Sequence, residues 1–207
     1  TVSASAYTVA LTIDATASTE NMETLTTGSG DDIFQFAGAT GLEVDDPILA
    51  GAGTDTIQLI NTVGAVVAVY DADVQTGFEK IVLTDANGAA TTSGESVTLT
   101  ISADSATAAN TFIIDASNIT DSRDDVSLTN SASSTLTSFT ITGGAGADTL
   151  PGSNAADTID GGAGIDTIDA ASGNDIVTGG AGNDILTGGA GNDIVTGGAG
   201  NDALTME

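Results

Sequence analysis

From Gly143 to Thr205 the chain repeats every nine residues, and that period limits the fold more than any other feature. The seven units read GGAGADTLP, GSNAADTID, GGAGIDTID, AASGNDIVT, GGAGNDILT, GGAGNDIVT and GGAGNDALT, without a gap. The sixth position is always Asp: Asp148, Asp157, Asp166, Asp175, Asp184, Asp193 and Asp202. The eighth is always a branched aliphatic: Leu150, Ile159, Ile168, Val177, Leu186, Val195 and Leu204. A short fixed period of this kind builds a solenoid, in which each unit packs only against its neighbours.

One unit, GGAGNDILT, divides into a six-residue turn and a three-residue strand. Its glycines permit positive φ and let neighbouring backbones come close, which a side chain would prevent. Stacked turns of this composition present main-chain carbonyls and Asp carboxylates. These are hard oxygen donors of the kind Ca²⁺ takes in six-fold or higher coordination. The inward core is thin, one aliphatic side chain per unit, and the carboxylates repel one another. Metal binding is therefore expected to supply folding energy, leaving the metal-free roll unfolded or nearly so.

Residues 143–205 resemble the RTX (repeats-in-toxin) family of calcium-binding nonapeptide repeats, and with the Thr/Ser/Ala/Gly-rich β segments of 58–142 and the near-absence of Lys the chain looks most like bacterial surface-layer proteins that carry them. The resemblance implies a parallel β-roll in which one full turn takes two nonapeptides and Ca²⁺ lies between turns 18 residues apart. It implies ligation by carbonyls two and four plus Asp of one loop, with carbonyls one and three plus Asp of the next. On that basis Gly144, Gly146 and Asp148 pair with Gly161, Ala163 and Asp166. Gly162, Gly164 and Asp166 pair with Gly179, Ala181 and Asp184, and Gly180, Gly182 and Asp184 with Gly197, Ala199 and Asp202. On the opposite edge Ser153, Ala155 and Asp157 pair with Ala170, Ser172 and Asp175, then Ala171, Gly173 and Asp175 with Gly188, Ala190 and Asp193. About five Ca²⁺ ions are expected in the roll. The units at 152 and 170 lose glycines, so the site joining them is expected to be the weakest, because Ser153 and Ala155 resist positive φ. Pro151, with no N–H, is expected at a terminal sheet edge.

Two related loops stand far upstream: TGSGDDIF from Thr27 and AGAGTDTI from Ala50. Gly28, Gly30 and Asp32 could pair with Ala50, Ala52 and Asp55 in the same manner, a further Ca²⁺ site despite the insertion between them. Between Gln58 and Thr142 runs such as VGAVVAVY, KIVLT, SVTLTIS, TFIID and SFTIT are separated by Asn, Asp, Gly and Ser, and YTVALTID precedes them all. Their β-branched composition and period-2 alternation predict strands, with no helix. The expected organisation is an irregular all-β, solenoid-like region over 1–142 that continues into a calcium-binding roll over 143–207.

Composition narrows the function. The chain has 29 acidic residues against two basic ones, Lys80 and Arg123, and a formal net charge of −27. Such a charge repels nucleic acid and anionic membranes and attracts cations. Absence of His and Cys removes zinc sites, thiol nucleophiles, haem ligation by those residues and a histidine base. No apolar run is long enough to span a membrane. The GGAGND loops lack the Lys-Ser/Thr of phosphate-binding loops, and DANG at Asp85 lacks the acidic spacing of an EF-hand. Asp121, Asp124 and Asp125 around Arg123 read as a solvated loop. Ile176 and Ile194 should face outward on one sheet and Ile185 on the other, a candidate lateral contact surface.

RTX-like proteins are generally exported by type I systems and fold outside the cell, where Ca²⁺ is high. The start at Thr1 leads to the expectation of a processed product or fragment, and an export signal would be expected after the repeats. The role expected is a non-enzymatic extracellular structural protein at a bacterial surface: an S-layer, matrix or filament subunit that self-associates. The alternatives are a segment of a secreted RTX adhesin and the calcium-folding module of a type I-secreted hydrolase or toxin.

Overall fold

The computed structural model describes residues 2–3, 8–14, 25–37, 47–61, 66–71, 75–85, 96–102, 111–130 and 138–207. Among them every regular element is a β-strand, and every strand pairing is parallel. Tyr7 of the first expected strand, residues 63–65 of VGAVVAVY and residues 86–88 of DANG lie outside the described residues.

The chain winds as a β-solenoid. One face is a nine-stranded sheet ordered Thr12–Asp14, Ile33–Ala37, Asp55–Asn61, Phe78–Asp85, Thr111–Asn118, Ser138–Thr142, Thr158–Asp160, Ile176–Ala181, Ile194–Ala199. The second face is divided. A four-stranded sheet runs Val2–Ser3, Leu25–Thr26, Ile48–Leu49, Gln75–Thr76. A seven-stranded sheet then runs from Val66–Asp71 through Val97–Ser102, Val126–Asn130, Thr149–Pro151, Thr167–Asp169 and Ile185–Thr187 to Ala203–Thr205. Both long sheets continue across residues 142 and 143, since Ser138–Thr142 pairs with Thr158–Asp160 and Val126–Asn130 with Thr149–Pro151.

The core explains the winding. Along the nine-stranded sheet Ile13, Phe34, Ile57, Ile81, Ile114, Ile141, Ile159, Val177 and Val195 form one inward column, each beside the next. Phe34 to Val177 are buried, and Ile13 and Val195, near the ends, are only partly so. Ala68, Leu99 and Leu128 on the other face are followed by Leu150, Ile168, Leu186 and Leu204. One residue in, one out is the period of a half-buried sheet, and repeating it coil after coil joins the two columns into a single core, with Leu204 on the last coil left 47% exposed. Where the coils are wider, aromatics fill the extra space: Phe34 and Phe78 meet edge to face at 5.1 Å, Phe112 and Phe139 at 6.4 Å.

Coil length varies where the sequence shows no repeat. Cross-coil hydrogen bonds step by 23 residues from Asp32 to Asp55, 24 from Asp55 to Glu79 and 22 from Val126 to Asp148. From Asp148 onward the step is 18. Polar ladders run along the outside, with Gln35 Nε2 donating to Gln58 Oε1 at 2.7 Å and Gln58 Nε2 to Thr84 Oγ1 at 3.2 Å.

Two expectations are corrected. Pro151 is not at a sheet edge, because its strand lies inside the seven-stranded sheet and Pro151 pairs with Asp169. It is the strand's last residue, and pairing toward the preceding coil is confined to Ser127 and Thr149, so no ladder position needs the missing N–H. Asp121 and Asp124 are not solvated: they are 4% and 1% exposed. Arg123 folds back over Asp121, with Nε to Oδ1 at 2.9 Å and Nη2 to Oδ2 at 2.5 Å, so the loop supplies the counter-ion that lets the Asp121 carboxylate be buried.

Candidate metal centre

The turns at the edges of the roll are built by glycine. Gly162 and Gly164 have φ of 95° and 126°, and Gly180 and Gly182 have 105° and 154°. A Cβ on Gly180 would fall on the carbonyl oxygen of Gly162, and one on Gly182 on that of Gly164. Both the left-handed backbone and the close approach of the previous turn therefore require Gly there. In the degenerate unit Ala171 takes φ 71°, a conformation that costs an L side chain about 1–2 kcal/mol. Ser153 and Ala155 do not adopt positive φ, and neither do Gly144 and Gly146.

The predicted carbonyl donors line the gaps between stacked turns. The carbonyls of Gly161, Gly179 and Gly197 face the first glycine of the preceding turn, and those of Gly146 and Gly164 face the fourth glycine of the following one. Several also carry a hydrogen bond across the gap. Gly144, Gly162 and Ala171 each accept from the amide of Ala163, Ala181 and Ala190 in turn, all at 2.9 Å. Ala181 and Ala199 accept from Gly164 at 2.8 Å and Gly182 at 2.9 Å. Ser172 donates to Ser153 at 3.4 Å, the longest of these contacts, and that gap joins the two glycine-poor units.

The Asp side chains form a ladder along each edge. Asp148 N–H donates to Asp166 Oδ1 at 2.8 Å, Asp166 to Asp184 at 2.9 Å and Asp184 to Asp202 at 3.1 Å. On the other edge Asp157 N–H donates to Asp175 at 2.8 Å and Asp175 to Asp193 at 3.0 Å. The first rungs accept from the preceding coils, Asp148 from Val126 and Asp157 from Phe139. Every Asp predicted from the repeat thus lies on a gap beside its predicted partner.

Oδ1 accepts a hydrogen bond in each of these rungs, but the Oδ2 atoms of the middle rungs do not. Asp166, Asp175 and Asp184 are 1% exposed or less, and the Oδ2 of each is buried without a hydrogen-bond donor. A buried acceptor without a donor costs about 1–3 kcal/mol, and more when charged. No basic side chain relieves it, because Lys80 is paired with Asp115 at 2.9 Å and Arg123 with Asp121 at 2.5 Å. Those are the chain's two basic residues. Among the described residues no group of three acidic side chains forms a metal cluster, so a cation here takes paired carboxylates plus main-chain carbonyls. Oxygen donors in that mixture fit Ca²⁺. When bound, the ion would neutralise the rungs and tie one turn to the next.

The first two units differ. Asp148 Oδ2 accepts from Gly144 N–H at 2.7 Å, and Asp157 Oδ2 from Ser153 N–H at 2.6 Å, with Ser153 Oγ on Oδ1 at 3.0 Å. These turns satisfy their carboxylates internally. Burial nevertheless pushes Asp148 up to about 7, against its amide bonds from Val126 and Gly144. Burial, with repulsion from Asp184, pushes Asp166 up to about 6, and Asp157 and Asp175 are raised by burial as well.

Fifth-position side chains form an outer ladder that the sequence reading did not single out. Asn174 Oδ1 accepts from Asn192 N–H at 2.9 Å, and Asn183 Oδ1 from Asn201 N–H at 2.8 Å. The loop at Ile119–Asp125 also joins the stack unannounced. Ile119 O accepts from Ala145 and Asp125 Oδ1 from Ala147, at 3.0 and 2.8 Å. Its 22-residue step and lack of glycine hide it from any search for a nine-residue period.

Fold and turns together define a repeat protein of the parallel β-roll class whose edges are built to take cations. Residues 140–168 and 169–204 each match the family described as RTX calcium-binding nonapeptide repeat (four copies). The C-terminal region therefore carries RTX repeats, which bind Ca²⁺ and are typical of secreted proteins. No curated protein and no solved structure matches the chain.

Proposed function

We propose that this chain is an extracellular structural protein, a subunit of a surface layer, matrix or filament, that folds and assembles when Ca²⁺ fills its turns outside the cell. One observation carries the calcium dependence: the buried Oδ2 atoms of Asp166, Asp175 and Asp184 have no donor, and both basic side chains are committed elsewhere. Low cytosolic Ca²⁺ would leave such a ladder repelling itself, and extracellular modules bind at about 0.1–1 mM, the range met after export. The structural role is supported by the long two-faced solenoid and by apolar side chains on its outer surface. Ile176 and Ile194 are neighbours on one sheet at 47% and 63% exposure, and Ile185 is 54% exposed on the other. A parallel sheet bearing such a pair suits lateral contact between copies. The reading is non-enzymatic, in keeping with a chain that has neither His nor Cys.

The test is to add Ca²⁺ to chelator-treated protein and follow light scattering together with electron microscopy. Ordered sheets or filaments that dissolve on chelation support the proposal. A folded monomer at all concentrations overturns the assembly role and favours an adhesin stalk or the folding module of a secreted enzyme.

A further inference from the structure

The N-terminal coils reproduce the roll's cation-binding turn contact by contact, outside the residues that match the repeat family. Gly51 and Gly53 have φ of 92° and 148°, and a Cβ on either would fall on the carbonyl oxygen of Gly28 or Gly30. Ala52 N–H donates to Gly28 O at 3.0 Å, as Ala190 does to Ala171 at 2.9 Å. Asp31 Oδ1 accepts from Thr54 N–H at 2.8 Å, the place held by Asn174 and Asn192 in the roll. Asp32 N–H donates to Asp55 Oδ1 at 2.7 Å, the bond that joins Asp175 to Asp193.

The stack continues further in each direction. Leu11 N–H donates to Asp32 Oδ1 at 2.8 Å, and Asp55 N–H to Glu79 Oε2 at 2.8 Å. Glu79 sits at a register shift, since Asp55 pairs with Phe78 and Thr56 with Lys80. The bulge leaves Glu79 outside the ladder and aims its longer side chain along the turn edge, where an Asp would otherwise serve. Asp32 and Asp55 are 1% and 0% exposed, and the Oδ2 of each is buried without a donor.

We propose that the turns at 27–32 and 50–55 hold a divalent cation of their own, bound by Asp32, Asp55 and the carbonyls of their loops, with Glu79 as the next rung of the same ladder. The proposal rests on the calcium reading of the roll and extends it to a region of irregular coil length. Its consequence is that both halves of the solenoid respond to Ca²⁺, through sites that can be removed separately.

Hydrogen exchange of the full chain, with Ca²⁺ or with chelator, reads the two halves independently. In wild type, Ca²⁺ at ten times Kd should slow exchange of peptides covering 25–37 and 47–61 by about tenfold. Asp55→Asn keeps the acceptor for Asp32 N–H but removes the charge. It should abolish the calcium response of these peptides and leave that of 161–205. Asp184→Asn should reduce the calcium response of 161–205, because it touches only the gaps on its own edge, and leave that of the upstream peptides. Upstream peptides that exchange equally with and without Ca²⁺ in wild type, while the roll gains protection, overturn this proposal alone. This comparison needs no variant, so it decides the matter even where Asp55→Asn disturbs folding. Absence of any response in either half defeats the calcium reading of the repeats as well.

Discussion

Asp184→Asn should change sign of effect with calcium. Asp184 Oδ1 accepts from Asp166 N–H at 2.9 Å, a bond that an Asn carboxamide oxygen can keep. Its Oδ2 is buried without a donor, and Asp166 and Asp202 are its neighbours on the ladder. Without metal, Asn removes a charge from that stack and puts an N–H₂ group among carbonyls, so the variant should be as folded as wild type or more so. The gain is about 1 kcal/mol, the scale of one buried acceptor no longer left without a donor. With metal the balance reverses, because Asp184 borders the gaps on both sides. Sites with Kd of about 0.1–1 mM at about 10 mM Ca²⁺ each contribute roughly 1.4–2.7 kcal/mol by mass action. Weakening both should cost about 3–5 kcal/mol. Urea unfolding followed by far-UV circular dichroism in Ca²⁺ measures the loss, and the ellipticity in chelator measures the other arm. Equal destabilisation in both conditions would refute the reasoning, since it would mean that Asp184 acts only as a hydrogen-bond acceptor. No loss in Ca²⁺ would refute it as well.

Ala171→Gly should stabilise the calcium-bound roll by about 0.5–1 kcal/mol, because φ 71° no longer carries a Cβ; an unchanged or lower urea midpoint contradicts this. Gly180→Ala should destabilise by about 3 kcal/mol or more and raise the calcium midpoint, since it adds left-handed strain and places Cβ on the carbonyl of Gly162; an unchanged midpoint in the calcium titration would count against the stacked-turn geometry. Calcium affinity should fall as pH drops from about 8 to about 6, because the metal must displace protons held by Asp148, raised to about 7, and by Asp55 and Asp166, raised to about 6. These carboxyls are raised in the folded state, so in chelator the sign is opposite: folding gains as pH falls through that range and loses as it rises. Calorimetry in buffers of different ionisation heat should detect proton release, and a pH-independent affinity contradicts the assignment.

The legible parts of the molecule are those where one physical requirement recurs at one spacing. Asp at the sixth position and an aliphatic at the eighth place the ladder and the core column directly, because a coil of 18 residues leaves no freedom in register. The β-branched runs of residues 58–142 mark strands, and TLTIS shows which side faces in. Coil assignment there was hidden, because stretches of differing length separate strands that are neighbours in space. Gly28–Asp32 and Ala50–Asp55 kept enough of the motif to be seen. Glu79 did not, since a bulge and one extra methylene replace the expected Asp. Asp121 misled for another reason: charge in a loop suggests solvent unless the partner is known, and Arg123 is that partner. Pro151 misled because the missing N–H matters only where a ladder calls for it.

The most direct test of the account is calcium titration of the chelator-treated chain, followed by far-UV circular dichroism. A cooperative rise of β signal near millimolar Ca²⁺, reversed by chelator, is the result predicted by a carboxylate ladder with no cation of its own. A β signal of full amplitude in chelator, unchanged by Ca²⁺, would contradict it.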